Sequence, residues 1–192
     1  MAHEITDHDH MIYRDAMPWH GLGTKVQEDM SATEALVPAG LDWDVYVKEL
    51  YLRNEVTNIY QEIPNKYMTV RSGPGYDHNQ IRPLGEVGSK YIPVPNYKIA
   101  EFIDKVVEDT GATIDTAGSF RDGKRVWFLL KTGESMIANE DKIMNYALFA
   151  AGHDGTLAVR ILPTNIRVVC SNTFQRSGGH DSKIGLSIRH TG

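Results

Sequence analysis

Residues 112–130 read ATIDTAGSFRDGKRVWFLL, two β-rich runs around Asp122-Gly123. Asp-Gly between such runs is a strong hairpin signal, because both residues tolerate the positive φ of a tight turn. A second pattern of the same kind follows at once. NYALFAAG (145–152) leads into His153-Asp154-Gly155 and then TLAVRIL (156–162). Two consecutive hairpins predict an antiparallel sheet. Outward from them, IRVVC (166–170) and KIGLSIRHT (183–191) read as further strands, with SNTFQRSGGHDS (171–182) as turn or short helix.

Before the hairpins lies the clearest amphipathic helix. Asn96 is its expected N-cap, and Ile99, Phe102, Ile103 and Val106 follow at i, i+3, i+4, i+7. Gly111 lies just past its end. Ser31-Ala-Thr-Glu34 has the capping-box pattern, and Pro38 and Gly40 stop the short helix that it opens. DWDVYVKELYL (42–52) alternates as a strand does, and NKYMTVRS (65–72) reads as a second strand. SGPGYDHN (72–79) reads as a turn or exposed loop. The expectation is α+β: a mostly antiparallel sheet built from hairpins, with one main amphipathic helix packed on it. Residues 1–15 are expected to be a flexible segment and 16–192 a single domain.

The bulk numbers fit one core. The 192 residues are 41% apolar, with no apolar run near the roughly 20 residues that span a membrane. MAHEITDHDH is polar and acidic, without the apolar stretch of a secretory signal. The single cysteine, Cys170, sits among β-branched residues and reads as a buried thiol with no disulfide partner. A reducing, cytoplasmic setting is expected. The net charge of −5 is uneven. Residues 1–120 carry 10 Lys+Arg against 19 Asp+Glu, and residues 121–192 carry 10 against 6. A basic half on an acidic chain can still bind a polyanion, since the local field decides.

PWHGLGTKV (18–26) poses a separate question. It lacks the spacing of a Walker loop and the third glycine of a dinucleotide fingerprint. It reads as a tight turn, with Gly21 and Gly23 freeing the backbone and Trp19 packed beneath. His3, His8 and His10 stand among acidic residues on a tail that would not pre-organise ligands. His20, His78, His153, His180 and His190 are scattered, with no H-E-x-x-H and no Cys pair. His153-Asp154 reads as part of a turn. Asp115, Asp122, His153 and Asp154 are the best that can be assembled for a metal-dependent nuclease, and nothing in the spacing joins them. No metal, cofactor or catalytic group is expected.

A basic and aromatic constellation remains. The first hairpin carries Phe120, Arg121, Lys124, Arg125, Trp127 and Phe128. Lys66, Tyr67 and Arg71 lie on an earlier strand, Lys90 and Tyr91 before the helix. Arg160, Arg167, Arg176 and Arg189 follow. Single-stranded nucleic acid is held by a cationic groove with flat side chains against bases. Trp127 and Tyr91 are the expected base platforms and the cations the phosphate contacts. If the strand is regular, one of Trp127 and Phe128 must face inward.

MAHEI, PWHGLGTKV, ATEAL, AGLDWDV, LGEVGSKYIPVPN, AGSFRDGKRVWF, HDGTLAVRI, RVVCSNT and IRHTG occur in that order along nearly the whole chain. In this the chain resembles a phage/plasmid-like domain-of-unknown-function family. The signature residues are Trp19, His20, Gly21, Gly23, Asn172, Thr173, Arg189 and His190. The resemblance implies that the chain is the N-terminal core of a longer protein with a further helical region. It is loosely similar to phage single-strand annealing proteins of the Rad-fifty-two-like superfamily, which implies ring-forming homo-oligomers that bind single-stranded DNA and anneal it without ATP. The other open reading is a protein-interaction or inhibitor module of a mobile element, capturing a host or phage protein through its acidic N-terminal half.

Overall fold

The computed structural model describes residues 4–7, 9–27, 30–72, 81–137, 141–179 and 184–191. His3, His8, His78, His180 and most of the 72–79 loop lie outside them. Two sheets form. The larger contains β1 (Met11–Tyr13), β2 (Thr24–Lys25), β6 (Thr113–Phe120), β7 (Arg125–Ile137), β8 (Asp141–Gly152), β9 (Val159–Thr164) and β10 (Leu186–Ile188). Its order is β10-β9-β8-β7-β6-β1-β2. The smaller is β3 (Asp44–Arg53), β4 (Tyr60–Ser72) and β5 (Arg82–Val87), in that order. Every strand pair is antiparallel except β1 with β2. Three helices accompany them: α1 (Ala32–Ala35), α2 (Asn96–Thr110) and α3 (Ser171–Arg176). Among the described residues no helix is long and apolar enough to cross a membrane.

Both hairpins form where the turn chemistry placed them. Arg121, Asp122 and Gly123 all take positive φ between β6 and β7. The large sheet is covered on both faces, which decides how its strands read. Val126, Phe128 and Leu130 of β7 join Phe149 and Ala151 of β8 in one core, under α1 and α2. Trp127 and Leu129 join Leu148 and Ala150 in a second core, closed by Val168, Val169, Cys170 and Phe174. Trp127 and Phe128 are therefore both fully buried. The apolar run VWFLL has no wet face because neither side of the sheet meets water there.

Several expectations are corrected. IRVVC (166–170) is not a strand; it crosses the second core irregularly. Thr116 Oγ1 donates to Val168 O (2.6 Å) and Trp127 Nε1 donates to Thr116 Oγ1 (3.2 Å). Cys170, buried as expected, ends this segment as the N-cap position of α3. Asn96 is the first residue of α2 rather than its cap, which is Pro95. Part of the stretch expected to be flexible is built in. β1 is buried, and Asp9, 5% exposed, accepts from the backbone N–H of Asp122 and Gly123 (both 2.9 Å) and from Ser119 Oγ (2.7 Å).

Trp19 does not pack beneath its turn; it is 69% exposed. His20 anchors the turn instead. Its Nδ1 accepts from Leu22 N–H (3.1 Å), so its Nε2 carries the proton and donates to Val169 O (2.8 Å). Gly21 and Gly23 free the backbone as expected, with φ of +71° and +110°, and a Cβ at Gly23 would also stand 2.9 Å from Met11 Cγ. His20→Ala is expected to cost about 1 kcal/mol in urea denaturation, and Trp19→Ala less than about 0.5 kcal/mol. The reverse order would overturn this account of the turn.

Candidate functional site

The loop between β8 and β9 is the junction of the molecule. His153 stands at its start and is fully buried, not at a solvent-exposed turn. Asn96 Nδ2 donates to Leu41 O (2.9 Å), which leaves Asn96 Oδ1 to accept from His153 Nε2 (2.9 Å). The imidazole is thereby fixed as the neutral Nε2–H tautomer. Its Nδ1 has no hydrogen-bond partner among the described residues. Burial pushes the His153 pKa down to about 3, and the nearby cations Arg125 and Arg71 act in the same direction. Trp43 meets the ring edge-on at 5.3 Å, and the Arg71 guanidinium lies 5.0 Å over Trp43.

The same loop ties the two sheets together. Thr69 Oγ1 of β4 donates to His153 O (2.6 Å). Gly85 of β5 packs so closely that a Cβ would come within 2.5 Å of Asp154 O. From the β6–β7 hairpin, Lys124 O accepts from His153 N–H (3.0 Å). Arg125 Nη1 donates to Asp154 Oδ1 (2.6 Å) and to Lys124 O (2.9 Å), and its Nη2 reaches Thr156 Oγ1. Thr156 N–H and Oγ1 also donate to Asp154 Oδ1 (3.0 and 2.9 Å). Burial opposes ionisation of Asp154, but the Arg125 and Thr156 hydrogen bonds overcome it and hold its carboxyl below the usual range.

Above this cluster the C-terminal segment closes on the stretch before α2. Tyr91 and Thr191 form an antiparallel bridge, and Ile92 N–H donates to His190 O (2.8 Å). The Tyr91 and His190 rings stack at 4.9 Å, 19° from parallel. Tyr91 Oη donates to Gly152 O (3.2 Å), and burial pushes its hydroxyl pKa up. Beside the stack opens a cavity of about 210 Å³, lined by Tyr91, Thr156, Leu157, Arg189, His190 and Thr191 among others.

The predicted cations separate sharply. Arg71 and Arg125 are buried. Arg167 is held by Asp115 (2.7 and 3.0 Å) and by Ala16 O (2.7 Å). Arg121 forms a two-point pair with Glu4 (2.5 and 3.0 Å), which itself accepts from Ser171 Oγ (2.8 Å). Lys66 pairs with Glu86 across β4 and β5. Trp127 cannot serve as a base platform, since both faces of its sheet are covered. Of the others, Lys124 and Arg160 are half-buried, and Lys90, Arg176 and Arg189 are exposed. Lys90, Tyr91 and Arg189 come together through the Tyr91–Thr191 bridge. Among the signature residues, Asn172 is exposed, whereas Thr173 Oγ1 accepts from Val169 and Cys170 N–H (both 3.0 Å). The nuclease candidates do not converge: Asp115 pairs with Arg167, and Asp122 accepts from Thr6. Among the described residues no group of three or more His, Cys, Asp or Glu could hold a metal.

Sequence reasoning missed Asn96 and Thr156 as members of this cluster. The signal was present in Asp154-Gly155-Thr156, the pattern of a turn in which a carboxylate accepts from the backbone two residues on. The family described as Domain of unknown function (DUF932) matches residues 83–192, more than half of the chain, and the chain belongs to that family. No curated protein and no solved structure matches the chain.

Proposed function

We propose that the chain binds single-stranded DNA and promotes strand annealing in phage or plasmid recombination, acting without covalent chemistry in the cytoplasm of a bacterial host. The observation that carries this is local. Arg189, exposed, lines the cavity beside the stacked Tyr91–His190 pair, and the exposed Lys90 immediately precedes Tyr91 in the chain. Cations beside flat rings are what a single strand needs. Lys124, Arg160 and Arg176 are the further cations that a bound strand could reach in an oligomer. The likeness to phage annealing proteins of the Rad-fifty-two-like superfamily points the same way. It is fold-level analogy, and the chemistry of the site carries more weight.

The test is fluorescence anisotropy of labelled oligo-dT at two salt concentrations. Binding should weaken with salt, and Lys90→Ala with Arg189→Ala should flatten log K against log salt by about 1.4. Absence of binding at about 50 µM protein in low salt would defeat the reading.

One observation favours a second reading, capture of a protein partner by the acidic N-terminal half. The β3–β4 ribbon bends at a register shift opposite Asn65, where φ is +59°. Beyond it, residues 51–62 are exposed on both faces, including Leu52, Val56 and Ile59. A two-stranded ribbon of this kind is marginal alone. Under this reading, one stoichiometric partner survives nuclease treatment and is lost on Val56→Ser with Ile59→Ser.

A further inference from the structure

Among the described residues the two sheets end in four edge strands: β10 and β2 in the larger, β3 and β5 in the smaller. An open edge offers unpaired N–H and C=O groups to any other strand, and charged side chains or proline are what keep strangers off it. β2 carries Lys25, β3 carries Lys48 and Glu49, and β5 carries Pro83 and Glu86. β10 reads Leu186-Ser187-Ile188 and carries neither charge nor proline. Leu186 is 55% exposed and Ile188 51%.

Beside this edge the core face of the large sheet runs out from under its helix. Phe102 of α2 meets Phe149 of β8 edge-on at 6.1 Å, yet stays 48% exposed. Phe149 stands opposite Ile161 of β9, and Ile161 opposite Leu186. Val159 stands opposite Ile188. Directly opposite residues share a face of the sheet. Phe102, Ile161, Leu186 and Ile188 therefore make one apolar strip that ends at the undefended edge.

The edge is complementary to itself. Antiparallel pairing of two β10 strands about Ser187 puts Leu186 of each copy opposite Ile188 of the other. Apolar meets apolar at both positions, on the face where the strip lies. The nearest charge, Arg189, falls opposite Gly185, and the two Arg189 residues stand about 14 Å apart, beyond the screening length of about 8 Å. The area also suffices. Phe102, Ile184, Leu186 and Ile188 expose roughly 400 Å² in each copy. Interfaces are a little over half apolar, so this corresponds to roughly 700 Å² a side, near the ~800 Å² of a standard interface.

We infer that β10 is a self-association edge, through which two copies pair antiparallel about Ser187 and join their seven-stranded sheets into one. Each copy uses the same patch, so the contact closes at two. The inference rests on the edge and not on the nucleic-acid reading, and its test contains no nucleic acid.

The experiment is sedimentation velocity of the whole chain from about 1 to 100 µM. The mass should double with concentration, half completely in the low micromolar range. Leu186→Lys with Ile188→Lys puts charge on the edge and should raise that midpoint by about thirtyfold or more. Both positions are exposed, and circular dichroism should be unchanged. Register is read by cross-linking. Ser187→Cys stands opposite its own copy, about 5 Å away between Cα atoms, and should form a disulfide on mild oxidation. Leu186→Cys is offset from its own copy to about 8 Å and should not. Cys170, 2% exposed, stays out of the reaction. If the lysine variant loses its fold, the cysteine pair decides. A single mass up to about 100 µM, an unchanged midpoint in a folded lysine variant, or equal cross-linking of the two cysteine variants would overturn the proposal.

Discussion

Asp154→Ala is expected to destabilise the protein by about 3 kcal/mol, with the folded core otherwise retained. The reason is what the substitution leaves behind. The Arg125 side chain is 5% exposed, and its charge is answered by Asp154 at 2.6 Å. Remove the carboxylate and the guanidinium keeps Lys124 O and the Thr156 hydroxyl, two neutral acceptors, for a charge out of water. Breaking a buried pair from one side costs about 3–5 kcal/mol, and the lower end applies because the Asp154 side chain is 14% exposed. The Asx turn goes with it, since Thr156 N–H and Oγ1 both lose their acceptor. Removing both charges should cost less than removing one. Arg125→Leu with Asp154→Leu is expected to lie closer to wild type than Asp154→Ala, with a coupling of about 2 kcal/mol across the cycle. The check is the urea midpoint at constant m-value. A loss under about 1 kcal/mol for Asp154→Ala would show that the pair does not hold this junction.

What could be read without coordinates follows physical range. The two hairpins were legible because turn chemistry is local: Asp122-Gly123 and His153-Asp154-Gly155 announce a reversal from three residues. The capping box at Ser31 was legible for the same reason, and both of its reciprocal bonds form. The buried face of α2 was partly legible, since Ile99 and Ile103 are in the core while Phe102 stays 48% exposed. What no local pattern carries is which charges meet. Arg167 and Asp115 lie 52 positions apart, Arg121 and Glu4 117 apart. Read singly, each arginine looks available to a polyanion. Trp127 and Phe128 were misjudged because the second cover of the sheet, Val168 to Phe174, carries no strand or long helix to announce it. The Tyr91–His190 stack needed the C-terminal bridge, a contact between residues 99 positions apart.

Lowering the pH from 7.5 to 4.5 is expected to strip stability from this protein at a slope of at least about one proton below pH 6.5, which His153 supplies. Its folded pKa is about 3, well below the ordinary 6.5. Between those values the unfolded chain binds a proton that the folded chain refuses, so stability falls as pH falls. The stabilisation is fully present above pH 6.5 and is lost progressively toward pH 3. One histidine with this shift contributes on the order of 4–5 kcal/mol over the whole window, about 1.4 kcal/mol per pH unit. The cause is geometric. Protonation at Nδ1 would place a charged donor in the core with no acceptor among the described residues, beside Arg125 and Arg71. His190, also depressed by burial, adds its loss in the same direction. Asp154 and Glu4, held low by their arginine partners, release their share only nearer pH 4. His153→Gln separates the terms, because a glutamine amide can still donate to Asn96 Oδ1 and does not titrate. That variant should be somewhat less stable at pH 7.5 and should lose about one proton of slope between pH 6.5 and 4.5. The check is urea denaturation at four pH values for both proteins. Parallel lines would mean that His153 is solvated and protonated in the folded state, and that the junction is looser than its hydrogen bonds describe.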